Sequence, residues 1–168
     1  QFLKSTGIVL SMVVAGEALH VSPRAAQAAG LPYQLLTDDE VSTLQGLAEA
    51  VVPGASEAGI SHYIDKQLSV EAQDSLLMLK YLGVPADDFI GLYRSGLRNA
   101  ARLANERYKR PWGKLSPKQA EQLLSELYGD AEIQWEGPPA DFFLFVLRSD
   151  ACDVVYGSAE GFARLGIP

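Results

Sequence analysis

Few residues of this chain could act as a nucleophile or a base, and their spacing argues against catalysis. There are two histidines, His20 and His62, and one cysteine, Cys152. His62 directly follows Ser61 at the start of a predicted helix, where successive side chains point about 100° apart and so do not form a nucleophile–base pair. We interpret Ser61 as a helix cap and His62 as a surface or interface residue. Cys152 lies in an apolar helix flanked by acidic residues, which oppose thiolate formation, and is predicted to be a small buried residue.

Two acidic pairs could serve acid–base catalysis, but each has a simpler interpretation. Asp87 and Asp88 fit the N-terminus of a helix, where the helix dipole favours negative charge. Asp150 and Asp153 lie one turn apart and are expected on a solvated helix face, with partner binding as the alternative. The sequence has no G-x-G-x-x-G phosphate loop and no set of zinc ligands. We therefore predict no catalytic, cofactor-binding or metal-binding residue in this chain.

The overall charge limits the classes of partner. The chain has 21 acidic residues against 14 lysines and arginines, a net charge of −7, which disfavours nucleic acids and anionic membrane surfaces. Its 168 residues fit one globular domain. Arg94, Arg98 and Arg102 are spaced four residues apart and form a basic ridge on a predicted helix. That ridge is either a solvated helix face or a docking surface for an acidic partner.

The apolar periodicity predicts an all-α fold, a single small domain of about five helices. Thr37 and Glu40 form a capping box that starts the first helix, and Pro53 with Gly54 ends it. The other helices are predicted at about residues 61–82 (broken near Ser69), 87–108, 117–128 and 140–156. No strand is predicted, and the tail from Gly161 to Pro168 is expected to be non-helical. The helical domain is placed at residues 31–168.

Residues 1–30 are predicted to be a separate signal or docking segment. Lys4 supplies positive charge, Gly7–Gly16 is an apolar run of 10 residues, and Ala26-Gln27-Ala28 matches an A-x-A cleavage site. The run is too short to span a bilayer, which requires about 20 residues. Gln1-Phe2-Leu3-Lys4 resembles the part of a twin-arginine export signal that follows the arginine pair. That resemblance implies export of a folded protein to the periplasm.

The apolar side chains of this segment would be poorly tolerated in water. We expect them to pack as an N-terminal apolar helix against this domain or against a partner subunit, with a crystal or detergent contact as the alternative. Residues 20–36 are expected to be an extended linker, because Pro23, Gly30 and Pro32 break regular structure. The side chains concerned are those of Ile8, Val9, Leu10, Met12, Val13 and Val14.

The stretch from Leu36 to Leu68 resembles the gluconate 2-dehydrogenase subunit 3 family, and the resemblance continues to Pro168 with a weaker middle over residues 69–115. The matching segments are Leu36-Thr37-Asp38-Asp39-Glu40, Val51-Val52-Pro53, Ala58-Gly59-Ile60, Ile64-Asp65-Lys66-Gln67-Leu68, Phe142-Phe143, Arg148, Tyr156, Gly157, Gly161 and Leu165-Gly166-Ile167-Pro168. The chain departs from the family pattern in a shortened segment over residues 157–160 and in Phe162, where the family more often has tryptophan. These departures leave the particular partner enzyme open.

The resemblance implies a non-catalytic small subunit of an exported dehydrogenase that acts on sugars, glycosides or gluconate. In that family the catalytic partner carries FAD and belongs to the glucose–methanol–choline group, a c-type cytochrome often accepts the electrons, and the small subunit supports folding and export of the large one. The complex would be periplasmic and membrane-associated. The candidate partner-interface residues are Ile8, Leu10, Val13, Trp112, Trp135, Arg148 and Tyr156.

A second hypothesis is an exported, free-standing helical protein that binds a small apolar ligand. A closed internal pocket would favour this ligand-binding protein, whereas an exposed aromatic patch would favour the subunit. An enzyme in its own right is disfavoured by the scarcity of histidine, cysteine and metal ligands.

Overall fold

The computed structural model describes residues 7–14, 16–129 and 133–166 of the chain. Most of this part is helical, as the sequence predicts. The elements are β1 (Leu10–Val14), β2 (Glu17–Val21), α1 (Pro23–Ala29), α2 (Asp38–Val51), α3 (Ala55–Ala58), α4 (Ile60–Ser69), α5 (Met78–Tyr81), α6 (Phe89–Tyr108), α7 (Pro117–Tyr128), α8 (Ala140–Tyr156) and α9 (Ala159–Arg164), with short 3-10 helices at Ala86–Asp88 and Trp112–Lys114.

Helix α2 begins and ends where the sequence predicts. The Thr37 hydroxyl accepts the Glu40 backbone N–H at 3.3 Å, and the Glu40 carboxylate accepts the Thr37 N–H at 2.9 Å. This capping box satisfies N–H groups that have no partner within the helix. Leu44 and Leu47 on the predicted apolar face are fully buried. The helix ends before Pro53, which lacks a backbone donor.

A β-hairpin lies where an export-signal helix was predicted. β1 and β2 pair in antiparallel register with Val14 opposite Glu17. Gly16 has φ +86° in the turn, a conformation that glycine adopts without steric cost. The β-branched residues of β1 also favour a strand. The prediction of an apolar helix is therefore wrong over β1, and residues 1–6 and 15 lie outside the described part.

The hairpin packs on the helical domain through alternate side chains of its first strand. Leu10 is 1% exposed and Met12 is 4% exposed, whereas Val9 is 57% exposed. Ile8 is half-buried, and β1 contacts α4. The side chains of residues 13 and 14 lie outside the described part. The apolar segment thus packs against this domain, with the two-residue period of a strand.

Helix α1 lies within residues 20–36, which were predicted to be an extended linker. The Ser22 hydroxyl accepts the Ala25 N–H at 3.2 Å and caps the helix, Pro23 occupies its first turn, and Gly30 ends it with φ +60°. Pro23 was interpreted as a helix breaker, but a proline in the first turn is compatible with a helix because that N–H has no intrahelical partner. The linker prediction is therefore wrong over α1.

The tail also contains a short helix, α9, which was not predicted. The Ser158 hydroxyl accepts the Gly161 N–H at 3.1 Å and caps its first turn. α9 packs against the end of α8. A capping serine and this tertiary contact are sufficient for a helix of six residues despite its internal glycine.

Helix α8 lies at the centre of the domain. It contacts α2, α3, α4, α5, α6, α7 and α9, and Phe143, Leu144, Val146 and Leu147 are almost fully buried. Because neighbours surround most of α8, its sequence is apolar on nearly every face. Among the described residues, no helix has both the length and the apolar composition that crossing a bilayer requires.

The packing of α6 on α8 depends on a glycine. A Cβ atom at Gly96 would lie 2.4 Å from the ring of Phe143, which is 1% exposed. We expect Gly96→Ala to lower the free energy of unfolding by about 2 kcal/mol, because a buried ring has no space into which to move. Gly91 on the same helix has nothing within 4 Å of such a Cβ. Gly91→Ala is therefore expected to raise the free energy of unfolding by about 0.5–1 kcal/mol through helix propensity. Urea titration of both variants tests this, and equal effects would contradict it.

Candidate partner interface

The residues that could carry chemistry form a buried structural network instead of a catalytic pair. Gly59 occupies the cap position of α4, so Ser61 lies inside the helix and is not its cap. Ser61 is fully buried and His62 is 2% exposed, which corrects the prediction of a surface histidine. Both contact the Gln27 side-chain oxygen, Ser61 at 3.2 Å and His62 at 3.1 Å. His62 Nε2 donates to the Leu31 carbonyl at 2.9 Å. The network holds α1 against α4.

The other histidine and the cysteine lie on elements outside this network. His20 is in the hairpin, where its ring nitrogen lies 2.9 Å from the Ser11 hydroxyl. Cys152 is half-buried, not fully buried as predicted. Burial raises the pKa of its thiol, and the nearby charge of Arg148 offsets part of this shift. Within residues 7–14, 16–129 and 133–166, no three His, Cys, Asp or Glu side chains are grouped so that they could hold a metal ion.

Asp65 binds the backbone of the segment that precedes α2. Its carboxylate is 2% exposed and accepts the backbone N–H groups of Gln34, Leu35 and Leu36, each at 2.8 Å. Charge-assisted hydrogen bonds of this kind are stronger than neutral ones. Asp65 lies in the Ile64–Leu68 segment that resembles the family motif, and its role in binding these N–H groups was not predicted.

Asp150 fixes the first residue of helix α5 through a hydrogen bond. It was predicted on a solvated face, but it is fully buried in α8. Its carboxylate accepts the Met78 N–H at 2.8 Å and the Tyr93 hydroxyl. The Gln67 side chain accepts the Leu76 N–H at 2.7 Å. Buried groups from α4, α6 and α8 thus fix the position of a segment that has only one short helix of its own.

Asp150 is expected to make stability depend on pH. Burial raises its pKa from 3.8 to about 7, although the hydrogen bonds from Tyr93 and from the Met78 N–H favour the ionised form. The folded state then binds a proton more tightly than the unfolded state. Its contribution is fully present below about pH 4 and is lost as pH rises to about 7, with a slope of at most about 1.4 kcal/mol per pH unit.

The variant Asp150→Asn isolates this contribution because its amide is neutral at every pH. We expect the difference in unfolding free energy, wild type minus variant, to fall between about pH 4 and pH 7 and then to level off. Urea titrations across this range measure it. Parallel curves for the two proteins would show that Asp150 does not titrate there.

The pinned α5 segment presents an apolar surface. Leu77 and Leu79 are fully buried, whereas Leu76, Tyr81 and Leu82 are 43%, 67% and 43% exposed. We call these three exposed residues the α5 patch. Buried hydrogen bonds already fix the backbone of this segment. Binding of a partner to the patch would therefore cost little conformational entropy of the segment.

A second apolar surface runs along the outside of α8. Phe145 is 40% exposed, and Phe142, Cys152 and Tyr156 are half-buried at helical spacing on one side of the helix. We call these four residues the α8 outer face. A groove of about 480 Å³, lined by Val84, Leu92, Pro138 and Phe142 among others, borders it. Val84 lies two residues beyond Leu82, so the groove is lined both by Phe142 of the α8 outer face and by the chain that follows the α5 patch.

The predicted interface residues are divided between the interior and the surface. Leu10 and Trp112 are buried inside this chain, and the Trp112 indole N–H donates to the Ala100 carbonyl at 2.7 Å. Trp135 is half-buried, and its N–H donates to the Pro138 carbonyl at 2.8 Å. Leu10 and Trp112 therefore offer little surface to a partner.

The remaining candidates lie nearer the surface. Arg148 is exposed on α8, Tyr156 belongs to the α8 outer face, and Ile8 is half-buried before the hairpin. Val13 lies in β1 opposite Ala18. A contact between any of them and a partner stays a prediction.

The arginine ridge on α6 is mostly paired within the chain. Arg94 lies 3.0 Å from the Glu40 carboxylate and donates to the Leu35 carbonyl. Arg102 lies 2.9 Å from the Glu106 carboxylate. Arg98 between them is exposed. Arg94 and Arg102 therefore act as structural contacts here, and the alternative of a basic docking ridge loses two of its three cations.

A comparison with protein families decides the relationship of this chain. The family model described as gluconate 2-dehydrogenase subunit 3 matches residues 38–166. The chain belongs to the gluconate 2-dehydrogenase subunit 3 family. Comparisons with curated proteins and with solved structures found no match. Membership in this family indicates a subunit of a dehydrogenase complex.

The matched region coincides with the helical core. It begins at the first residue of α2 and extends past α9, so it contains Asp65, Asp150, the α5 patch and the α8 outer face. The hairpin and α1 precede it. The family match therefore covers the surfaces of helices α2 to α9 and does not include the hairpin or α1.

Proposed function

We propose that this member of the subunit 3 family is the non-catalytic small subunit of an FAD-dependent dehydrogenase. The partner in this proposal is a flavoprotein of the glucose–methanol–choline type that oxidises a sugar, a glycoside or gluconate. FAD is bound by the partner, and a c-type cytochrome is the proposed electron acceptor. The family match from α2 to the end of α9 is the observation that carries the proposal.

The proposed role is to bind and stabilise the flavoprotein and to support its export to the periplasm, where the complex would be membrane-associated. The exposed apolar side chains of the α5 patch and the α8 outer face support a protein-binding role. Exposed apolar area that borders a groove is typical of protein interfaces, and aromatic residues are enriched at their energetic centres.

A binding protein for a small apolar ligand would need an enclosed pocket. Grooves open to solvent occur on the described part of the chain. One of about 600 Å³ lies between the end of α2 and α7, where Ala50, Pro53, Leu115 and Leu124 contribute apolar wall. Open grooves with exposed aromatic neighbours favour the subunit over the ligand-binding alternative.

Co-purification tests the proposed function. This chain, carrying the only tag, is co-expressed with the flavoprotein encoded beside it, and the eluate is examined for a flavin spectrum and dye-linked sugar dehydrogenase activity. A yellow, active complex is expected. A colourless eluate, together with a flavoprotein that folds and is exported without this chain, would contradict the proposal.

Two surface variants test where the partner binds. Tyr81→Asp and Phe145→Asp each place a charge on an exposed apolar position, and we expect about tenfold less flavin in the eluate because a carboxylate would be buried unpaired. Tyr128→Asp on α7 is the matched control, since Tyr128 is 50% exposed and lies outside both surfaces. If all three variants retain the flavoprotein, the subunit role stands and the binding surface lies elsewhere.

A further inference from the structure

The Ala26-Gln27-Ala28 motif lies inside α1, in a conformation that differs from the one a protease reads. Ala26 is fully buried against the domain, whereas Ala28 and Ala29 are exposed. On a helix, residues two apart point to nearly opposite sides, whereas on an extended strand they point to the same side. A protease that recognises small residues at both positions requires the extended form. Such a protease therefore cannot bind the motif while α1 is docked on the domain.

Several contacts hold α1 in this closed position. α1 packs against α3 and α4. The Gln27 side-chain oxygen accepts the Gln45 amide N–H at 3.1 Å and contacts Ser61 and His62. Arg24 forms an ion pair with Glu57 of α3. These contacts combine apolar burial with a polar network.

Gly59 allows a close approach of α1 to the start of α4. A Cβ atom at Gly59 would lie 2.1 Å from the Pro23 carbonyl oxygen, far inside van der Waals contact. Gly59 also has φ +88°. A side chain at this position would push the start of α1 away from α4.

We propose that Ala26-Gln27-Ala28 is a gated processing site, which a signal-peptidase-type protease cuts only after α1 detaches from α3 and α4. Hydrolysis would break the peptide bond between Ala28 and Ala29. Water supplies a hydroxyl group to the Ala28 carbonyl carbon and a proton to the Ala29 nitrogen, leaving a carboxylate and an amine. The cut would release the hairpin and most of α1.

Cleavage would also uncover a defined surface. Loss of Leu10, Met12 and Ala26 would expose the apolar area that they cover, and loss of Gln27 would remove the side chain that both Ser61 and His62 contact. The remaining chain would still be fixed near its new N-terminus, because the Asp65 carboxylate accepts the N–H groups of residues 34–36. Processing would thus change one face of the domain while leaving the entry to α2 in place.

The rate of cleavage by a purified bacterial type I signal peptidase tests the proposal, with mass spectrometry locating the cut. The substrates are the full 168-residue chain and an unstructured peptide of residues 20–36. We expect the full chain to be cut after Ala28 about tenfold more slowly than the peptide, or slower still, because proteolysis follows the small population in which α1 is open. A full chain cut as fast as the peptide, or a peptide not cut after Ala28, would overturn it.

Variants outside the cleaved segment show whether docking is the cause. Gly59→Ala and His62→Ala loosen α1 without changing the motif, and each is expected to speed cleavage of the full chain by about fivefold or more. Gly54→Ala is the matched control. It also has positive φ, +92°, but its Cβ would meet only the Arg164 side chain. Folded Gly59→Ala and His62→Ala proteins cut at the wild-type rate would overturn the proposal.

Hydrogen exchange of the unmodified full chain keeps the test independent of whether the variants fold. If α1 opens on its own, its amides exchange about tenfold faster than the most protected amides of α6. Equal exchange in the two helices would mean that α1 opens only with global unfolding, and would exclude a local gate. None of these measurements requires the proposed flavoprotein.

Discussion

Replacing Asp65 by asparagine is expected to lower the free energy of unfolding by about 3 kcal/mol. The carboxylate accepts three consecutive backbone N–H groups, those of residues 34, 35 and 36. An asparagine keeps one oxygen but turns an NH₂ group towards a donor, so at least one buried N–H loses its acceptor. A buried donor without a partner costs about 1–3 kcal/mol, and the remaining bonds lose their charge assistance. Urea unfolding followed by circular dichroism measures the change.

Asp74→Asn provides the matched control for charge removal. Asp74 is exposed and lies in the turn after α4, so its replacement should change the unfolding free energy by no more than about 0.5 kcal/mol. Equal, small effects of the two substitutions would show that the segment before α2 does not depend on Asp65. A large effect for Asp65 alone would explain in physical terms why the Ile64-Asp65-Lys66-Gln67-Leu68 motif includes an acid.

Helices with complete local signals were predictable from the sequence. The capping box of Thr37 and Glu40 located the start of α2, and the helix predicted at residues 117–128 coincides with α7, which Ser116 caps and Pro117 begins. Each signal lies within one helical turn, so its partner is readable a few residues away. Ser22-Pro23 and Gly30 carry the same kind of information for α1. There the error arose from treating the proline as a breaker.

The hairpin could not be predicted in this way. An apolar run of about ten residues fits a short helix and a strand equally well by periodicity. The contact of this run with the domain decides between them. Leu10 and Met12, alternate residues of β1, are buried against the domain, whereas Val9, which precedes β1, is exposed. That contact joins residues far apart in the chain, and local patterns do not reveal it.

The roles of the buried acids were hidden for the same reason. Asp65 bonds to backbone groups about 30 residues earlier, and Asp150 bonds to Met78, 72 residues earlier. Asp150 was expected at the surface, and Asp65 was given no structural role. Their burial becomes understandable only when the chain segments that supply their donors are in place.

Trp112→Ala is expected to lower the free energy of unfolding by about 3–5 kcal/mol. Trp112 is 2% exposed, and its indole N–H donates to the Ala100 carbonyl at 2.7 Å. The segment lies so close to α2 that a Cβ atom at Gly46 would approach the Trp112 carbonyl carbon to 2.7 Å. Truncation would leave a large cavity that this tight backbone contact prevents from closing. Denaturant unfolding of the isolated subunit measures the loss.

Trp135→Ala is the matched control, because it removes the same side chain from a half-buried position. Its ring lies 6.2 Å from that of Phe143, so some packing is lost, and a smaller decrease of about 1–2 kcal/mol is expected. The pair distinguishes the buried position of Trp112 in this structure from the partner-interface role predicted for it from the sequence. A core residue destabilises the isolated chain when truncated, whereas an interface anchor leaves it stable and weakens only the flavoprotein complex. If Trp112→Ala unfolds at the wild-type urea concentration and loses the flavoprotein, Trp112 is a partner contact, and the packing described between α2 and α6 is wrong.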